Sequence, residues 1–533
     1  MIAHRFSLRC QHVHRFSNVT QTRTMSQLNR VMGEQALQVL AIAVSMFDRL
    51  VLTAILYRVW GAENFEAWTI AASIAGMSTL LELGFSLYMA NKLVRDVETG
   101  QDRAADRTIA IANVTSLISG ILMALGAATL LLFWTLPEET KVLRSEITWG
   151  AILLGLQSGL RVTSAPSGAV YRAYRQYSRY ISLMMCGDLM RVLVTAIVVM
   201  AGGGIVLAAL SATMTALLIH VVAVRVDAYR RFGSRSIVFA IPTGSEFRQS
   251  LAVSAAIGAQ TVPLNTLAYL PVLVLNSRVA TAGVISAFVL QRTLSGLPRS
   301  LLQSLGTIVG QECARSIAAN DIPAAINTLR LACNAFSVMS GLAVGILLAG
   351  GRELMIAWTN DASIFNFKYM LVAAAPMLLA SASVVMHNVL ACTNKAYLPA
   401  AGRMLQLALT LMIVGIAPTR SPTLDMFLAL SLAELIGYVP IAYYAGARLL
   451  PDAGFMFHLR QVLLTIMSAV IGAVITLASI RVIEPQSTLA IFTAFVLVAI
   501  GCAASFWGLA LTPAIRREAN RKWINPMLRA FKS

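Results

Sequence analysis

Eight ionisable side chains lie near the middle of stretches that are otherwise apolar enough to cross a membrane: Asp48, Arg49, Glu82, Arg161, Asp188, Arg191, Arg292 and Glu434. Four are cationic and four anionic. A charge at bilayer depth costs about 2.5–3.5 kcal/mol on insertion scales, so such residues face a bundle interior or a wet cavity. Guanidinium groups hold oxyanions through paired N–H bonds. Buried carboxylates can load a coupling proton or sodium ion. The competing reading is that arginine and carboxylate neutralise each other. Asp188 and Arg191, three apart on one helix face, suit such a pair. Six of the eight fall in the first half of the chain, which is where the polar pathway is expected. Arg299 and Arg403 sit nearer the span ends and read as snorkelling anchors, or at most as a first contact for an incoming headgroup.

Helices must hold these groups. The chain has 533 residues, 57% hydrophobic and 12% charged, against roughly 25% charged in soluble domains. A membrane-crossing helix needs about 20 apolar residues, and a backbone in lipid forms helices or a closed barrel. The long runs here lack period-2 alternation, so the expected fold is an all-α polytopic membrane protein. Fourteen spans are expected, at about 36–57, 67–90, 108–135, 147–165, 180–201, 204–226, 252–275, 280–303, 326–349, 369–391, 397–418, 424–446, 461–483 and 488–512. With the N-terminus in the cytoplasm, 27 Lys and Arg fall in cytoplasmic segments and 8 outside. That asymmetry supports both termini inside, because basic residues favour the cytoplasmic side. The same rule accounts for the net charge of +18 without nucleic acid.

Residues 1–35 read as a disordered basic cytoplasmic extension, with an organelle transit peptide or a later start at Met25 or Met32 as alternatives. Six scattered cysteines form no CxxC pair and read as core residues rather than disulfides or metal ligands. His220 and His387 read as core histidines. No HExxH, G-x-S-x-G or GxxxxGK[ST] is present, so neither a hydrolase nor an ATPase is indicated. The seventh span carries Pro263 and Pro271 around Gln260 and Asn265. Freed carbonyls there call for polar side chains or water, and the bend reads as a cavity-lining hinge or as a kink without function. GLQSG (155–159), GTIVG (306–310) and GLAVG (341–345) have the spacing for close helix packing. The segment 171–180 (YRAYRQYSRY) alternates tyrosine with arginine and reads as a membrane anchor, with sugar stacking as the other use.

An internal repeat sits at an offset of 220 residues: RDVETGQDRAADRTIAIA (95–112) against RSIAANDIPAAINTLRLA (315–332). Arg95/Arg315, Ala104/Ala324, Ala105/Ala325, Thr108/Thr328 and Ala112/Ala332 coincide. The offset spans six helices, an even number, so the copies run parallel. The expected organisation is a first lobe at 36–226, a cytoplasmic linker at 227–251 and a second lobe at 252–446. Two added spans at 447–512 and a basic cytoplasmic tail at 513–533 follow.

The stretch FEAWTIAASIAGMSTLLELGFSLYMANKLVRDVETGQDRAADRTIAIAN (65–113), with Leu-Glu-Leu-Gly at 81–84 and Gly-Gln-Asp at 100–102, resembles polysaccharide-export flippases. These belong to the multidrug/oligosaccharidyl-lipid/polysaccharide superfamily. FVLQRTLSGLPRSLLQSLGTIVGQECARSIAANDIPAA (288–325) resembles the eighth-to-ninth helix region of the same family. The resemblance implies two six-helix lobes that alternate access to a cationic cavity. It also implies a polyprenyl-diphosphate-linked oligosaccharide as substrate, with O-antigen, capsular, exopolysaccharide and teichoic-type chains all fitting. Membrane lipids and polysaccharide polymerase and glycosyltransferase machinery are the implied partners, and a bacterial inner membrane the implied location. Asp48-Arg49 is similar in type, in reversed order, to an Arg-Asp pair in the first helix of related peptidoglycan-precursor flippases. On this reading Arg49, Arg161, Arg191 and Arg292 bind substrate. Asp48, Glu82, Asp188 and Glu434 act as coupling groups or counter-ions, and Pro263 and Pro271 form a hinge. No cofactor is expected beyond a coupling proton, sodium ion or membrane potential. A multidrug-extrusion antiporter, whose cavity should be acidic, and a membrane polymerase, which needs a large outer loop, are the rivals.

Overall fold

The computed structural model describes residues 40–483 except 42–43, 83, 134–140, 280–282, 394–396, 417–420 and 449–453. The extension 1–35, the span expected at 488–512 and the tail 513–533 lie outside the described residues. All regular structure among the described residues is helical. A π-helical turn, Asp48–Leu52, leads into α1 (Thr53–Ser78), followed by a 3₁₀ turn, Thr79–Glu82. Then come α2 (Phe85–Glu98), α3 (Asp102–Phe133), α4 (Lys141–Thr163), α5 (Ala165–Ala173), α6 (Tyr177–Met200) and α7 (Ile205–Thr215). A π-helical stretch, Ala216–Ala223, joins α7 to α8 (Val224–Phe232). The second half holds α9 (Gly244–Arg278), α10 (Val284–Ala318), α11 (Ile322–Thr359), α12 (Phe367–Cys392), α13 (Tyr397–Ile416) and α14 (Pro422–Ala433). A third π-helical turn, Glu434–Tyr438, α15 (Val439–Ala447) and α16 (Phe455–Ile483) complete it.

Among the described residues, nine helical stretches are long and apolar enough to cross a membrane. The first, Val44–Glu98, contains two expected spans. Gly61, at φ 73°, breaks the helix between them in a conformation that favours glycine. Three more expected spans fall in α4, α9 and α10. Helices α9 and α10 have 35 residues each, about 52 Å at 1.5 Å per residue. Each therefore exceeds a hydrocarbon core of about 30 Å.

The repeat is legible in the backbone. Thr99 and Ala319 donate to Arg95 and Arg315 carbonyls, Gly100 and Asn320 to Val97 and Ile317, and Gln101 and Asp321 to Asp96 and Ser316. Gly100 and Asn320 both take positive φ, 70° and 58°. The same left-handed helix end, residue for residue at offset 220, closes the second helix of each lobe.

The lobes meet across a shared apolar core in which Ile70 and Ile74 belong to the same cluster as Val272, Leu273, Phe288 and Phe427. One end of the bundle is also tied by polar contacts. Tyr57 donates to Asp361 at 2.8 Å, and Arg58 donates to the Trp358 carbonyl at 3.1 Å and to that of Ala357. Trp358 Nε1 donates to the Leu50 carbonyl at 2.6 Å. Glu66 accepts from the Ser286 amide, and the Ser286 hydroxyl donates to the Ala62 carbonyl, both at 3.0 Å. Deeper in, the Tyr269 ring fills the space that a Cβ on Gly76 would take.

At the other end the linker expected at 227–251 is held rather than loose. Asn113 donates to the Ser236 and Val238 carbonyls, and Arg107 binds Glu246 at 2.9 Å. A Thr243–Glu246 capping box starts α9. Helix α16 lies outside the repeat and docks on α11. A Cβ on Gly345 would stand 2.0 Å from the Ala469 carbonyl oxygen, so this approach requires glycine.

Candidate functional site

A cavity of about 290 Å³ opens within the second lobe, lined by α9, α10, α12, α13, α14 and the turn after α14. Its charged lining is Arg292, Arg299, Arg403 and Glu434, three cations against one anion. Ser295, Ser300, Gln303, Gln406 and Ser431 add polar edges. Ligand pockets run about 300–1,000 Å³, so this one lies at the small end of that range.

Proline shapes the walls. A proline inside a helix leaves the carbonyl four residues earlier without its donor. For Pro271 that carbonyl belongs to Leu267, and Arg292 Nη2 donates to it at 2.6 Å while Nη1 donates to Ala268 at 2.8 Å. For Pro376 in α12 it belongs to Val372, and the Ser431 hydroxyl donates to it at 2.8 Å. For Pro271 of the seventh span, the polar capping is thus supplied by a residue of the cavity itself. Pro263 lies two turns before Pro271 in α9.

Arg299 donates both Nη groups to the two oxygens of Glu434. Arg403 Nη1 bonds Gln406 at 2.6 Å, lies 3.8 Å from Glu434, and its guanidinium sits 3.5 Å from the centre of the Tyr438 ring. The Arg403 side chain is 5% exposed. The snorkelling expected of Arg299 and Arg403 is therefore incorrect: both point inward, where a carboxylate and a ring offset part of the desolvation cost.

The first-lobe charges are arranged differently. Asp48 pairs with Arg191 at 2.5 Å, and Arg161 holds Asp188 through bonds of 2.8 and 3.3 Å. His220, fully buried, stands 3.8 Å from Asp188. Asp188 and Arg191 do not pair with each other; each reaches a different helix. Glu82 caps the break before α2, accepting from the amides of Gly84 and Ser86 at 3.1 and 2.8 Å, and is no counter-ion to an arginine. Arg49 reaches across the lobes to the Ser300 hydroxyl at 3.4 Å, on the rim of the second-lobe cavity. The expectation that the first half holds most of the polar pathway is reversed. Its acids and arginines are largely engaged with one another, whereas the second lobe keeps a cationic excess beside open space.

All three π-helical stretches among the described residues carry members of these clusters: Asp48 and Arg49, His220, and Glu434. Such turns widen a helix locally and recur at functional sites. The segment 171–180 also differs from expectation. Tyr171 is buried and bonds Asp227, Arg179 holds the same carboxylate at 2.7 Å, and Tyr171, Tyr180 and Tyr177 stack in series. Its tyrosines thus form a brace on Asp227, while Arg172, Arg175 and Arg179 are exposed.

No family model matches the sequence, and no curated protein matches it. Solved structures do. The chain superposes on an inward-facing multidrug resistance MATE family transporter of the MOP superfamily with TM-score 0.63 at 11% identity, covering 78% of this chain and 98% of that one. For the lipid II flippase MurJ, inward closed, the TM-score is 0.61 at 13% identity, covering 89% and 99%. For a Pyrococcus furiosus MOP superfamily transporter, described as having a binding pocket of reverse polarity, it is 0.54 at 13%, covering 84% and 94%. The chain shares the overall fold of these solved transporters. Within that fold the cavity described above sits inside one lobe, and Arg49 is the first-lobe side chain that reaches its rim.

Proposed function

We propose that this protein is a flippase that carries a polyprenyl-diphosphate-linked oligosaccharide from the inner to the outer leaflet of a bacterial inner membrane, with both termini cytoplasmic. The observation that carries the reading is the cavity that places Arg292, Arg299 and Arg403 around a single Glu434. A diphosphate needs several cationic donors, and guanidinium supplies them in pairs. The cavity is too small for a glycan chain, so the sugars lie outside it while the polyprenyl tail stays in lipid.

With the N-terminus inside, the tied end of the bundle is the extracytoplasmic one. The lobes then rock about that end to load from the cytoplasm and about the opposite end to release. An inside-negative potential favours outward movement of an anion by about 2.3 kcal/mol per charge per 100 mV. The MATE likeness favours a second reading, an ion-coupled multidrug antiporter. A cation-exporting site should be net acidic, and the excess of arginine here weighs against it.

Translocation of fluorescent glycan-lipid in inverted vesicles tests the proposal. Arg299→Ala and Arg49→Ala should each lower the rate by about ten-fold or more, the value of one charge-assisted hydrogen bond. Full rates in both variants at normal expression, or robust efflux of a cationic dye by the wild type, would sink it.

A further inference from the structure

The paired N–H groups of Arg299, which a phosphate would engage, are already filled by part of the protein. Glu434 presents both carboxylate oxygens to them, and its Oε1 lies 3.8 Å from Arg403. We propose that Glu434 is an internal competitor for the substrate's phosphate: it neutralises Arg299 and Arg403 when the cavity is empty, and it sets how readily a bound diphosphate leaves. The inference rests on the diphosphate reading of the cavity.

Four observations carry it. Arg403 is fixed, bonded to Gln406 and seated on the Tyr438 ring, so this cation stays in place as partners change. Glu434 begins a π-helical turn and lines the cavity, so it stands beside space into which it can swing. No other carboxylate lines the cavity among the described residues. Arg292 is engaged with the Leu267 and Ala268 carbonyls, which leaves the Arg299–Arg403 pair as the cations whose partner is an exchangeable anion.

Carboxylate and phosphate present similar oxygen pairs, so they cannot fill the same donors together. A diphosphate carries more charge and more oxygens, and it displaces the carboxylate. The displaced Glu434 then stands beside the bound anion and repels it. A site lined by cations alone would bind and not release, whereas transport requires both.

The test uses full-length protein in phosphatidylcholine nanodiscs, with inorganic pyrophosphate and farnesyl diphosphate as probes in calorimetry. Glycan-lipid turnover is measured in parallel. Glu434→Gln keeps the shape and removes the charge. It should bind both probes roughly ten-fold more tightly, the change equivalent to one charge-assisted bond, and should lower both KM and the maximal rate. Glu434→Asp, one methylene shorter, should tighten binding to a smaller degree, and it serves if the glutamine variant does not accumulate. A merely structural role predicts loss of binding and rate together. Unchanged or weaker affinity in a monodisperse variant overturns the competition. Wild type that binds neither probe, with Arg299→Ala retaining full transport, would instead refute the diphosphate reading itself.

Discussion

Replacing Pro271 with alanine should remove much of the stability cost of losing Arg292. The Leu267 carbonyl lacks a helical donor because residue 271 has no N–H, and Arg292 Nη2 takes that place at 2.6 Å. Truncating Arg292 to alanine leaves the carbonyl without its donor in the cavity wall. A hydrogen bond to a charged group contributes roughly 1.5–3 kcal/mol, and an unsatisfied buried acceptor costs roughly 1–3 kcal/mol. The expected destabilisation is about 2–4 kcal/mol, since the two figures overlap in what they count. Nη1 also bonds Ala268 at 2.8 Å, but residue 272 retains an N–H for that carbonyl, so its loss matters less.

With alanine at 271 the backbone N–H can close the helix on Leu267 by itself. Arg292→Ala should then cost about 1.5–3 kcal/mol less than it does beside proline. Removing a cation from low dielectric, and relieving its repulsion with Arg299, affect both backgrounds alike and cancel in a double-mutant cycle. Equilibrium unfolding of the four proteins in mixed micelles measures the coupling. A coupling energy under about 0.5 kcal/mol, the additivity expected of independent sites, would refute the capping argument. If the bend is also the hinge, Pro271→Ala should be more stable and should move glycan-lipid more slowly.

The Asp48–Arg191 side chains are 25% and 13% exposed, so Arg191→Ala leaves a mostly buried carboxylate alone. It should destabilise by about 2–4 kcal/mol, somewhat under a fully buried pair, and Asp48→Ala on top should recover most of that in unfolding assays. Gly345→Ala, whose Cβ would meet the Ala469 carbonyl, should cost more than about 1–3 kcal/mol by overpacking. Gly415→Ala, with open space around it, should stay within about 1 kcal/mol of wild type in the same assay. In the 360–366 loop, the Ser363 hydroxyl holds the Asp361 carboxyl below its usual range, with the Ser363 amide and Tyr57 hydroxyl adding to it. A depressed folded value means stability present above the unfolded value of about 3.9 and lost as pH falls through the lower folded one. The difference in melting temperature between wild type and Asp361→Asn should therefore be flat from about pH 5 to 8, and a sloping difference would count against that contact.

Apolar runs and the 220-residue offset made the helical fold and the repeat legible, because both depend on local pattern. The glycine pairs also read correctly, since close packing leaves its mark in spacing alone. The site was half legible. Arg292 and Glu434 stood out as isolated charges at mid-span, but Arg299 and Arg403 were discounted for their distance from the span centre. Depth within a span does not determine which way a side chain points. A signal was present: Arg292, Ser295, Arg299 and Gln303 follow the i, i+3, i+7, i+11 pattern of one helix face, and all line the cavity. The first-lobe pairing was not legible, because Asp48–Arg191 and Arg161–Asp188 join residues far apart in sequence.

The distribution of bonds bears on what can move. The mid-bundle ionic contacts lie within lobes: Asp48–Arg191 and Arg161–Asp188 in the first, Arg299–Glu434 in the second, while Arg107–Glu246 ties α3 to the start of α9 at the end opposite the tied one. Contacts at the tied end are of another kind. Among the described residues, the tied end includes six such hydrogen bonds: Tyr57 to Asp361, Arg58 to Trp358 and Ala357, Trp358 to Leu50, and two from Ser286. At about 0.5–1.5 kcal/mol net for the two neutral bonds and about 1.5–3 kcal/mol for the four with a charged partner, they total roughly 7–15 kcal/mol. Those net values already count exchange with water, so what offsets them is new partners at the opposite end of the bundle. In the proposed cycle, a rocking step would exchange these hydrogen bonds for partners at the opposite end, and two conformations can both be populated where the two sets nearly balance. Such a step leaves intact the mid-bundle ion pairs whose rupture would expose uncompensated charge to lipid. At cavity depth the bond that crosses from Arg49 to Ser300 is long, at 3.4 Å. A substrate phosphate that draws Arg49 inward would shorten the distance between lobes at that level, which links occupancy of the second-lobe cavity to the position of the first lobe.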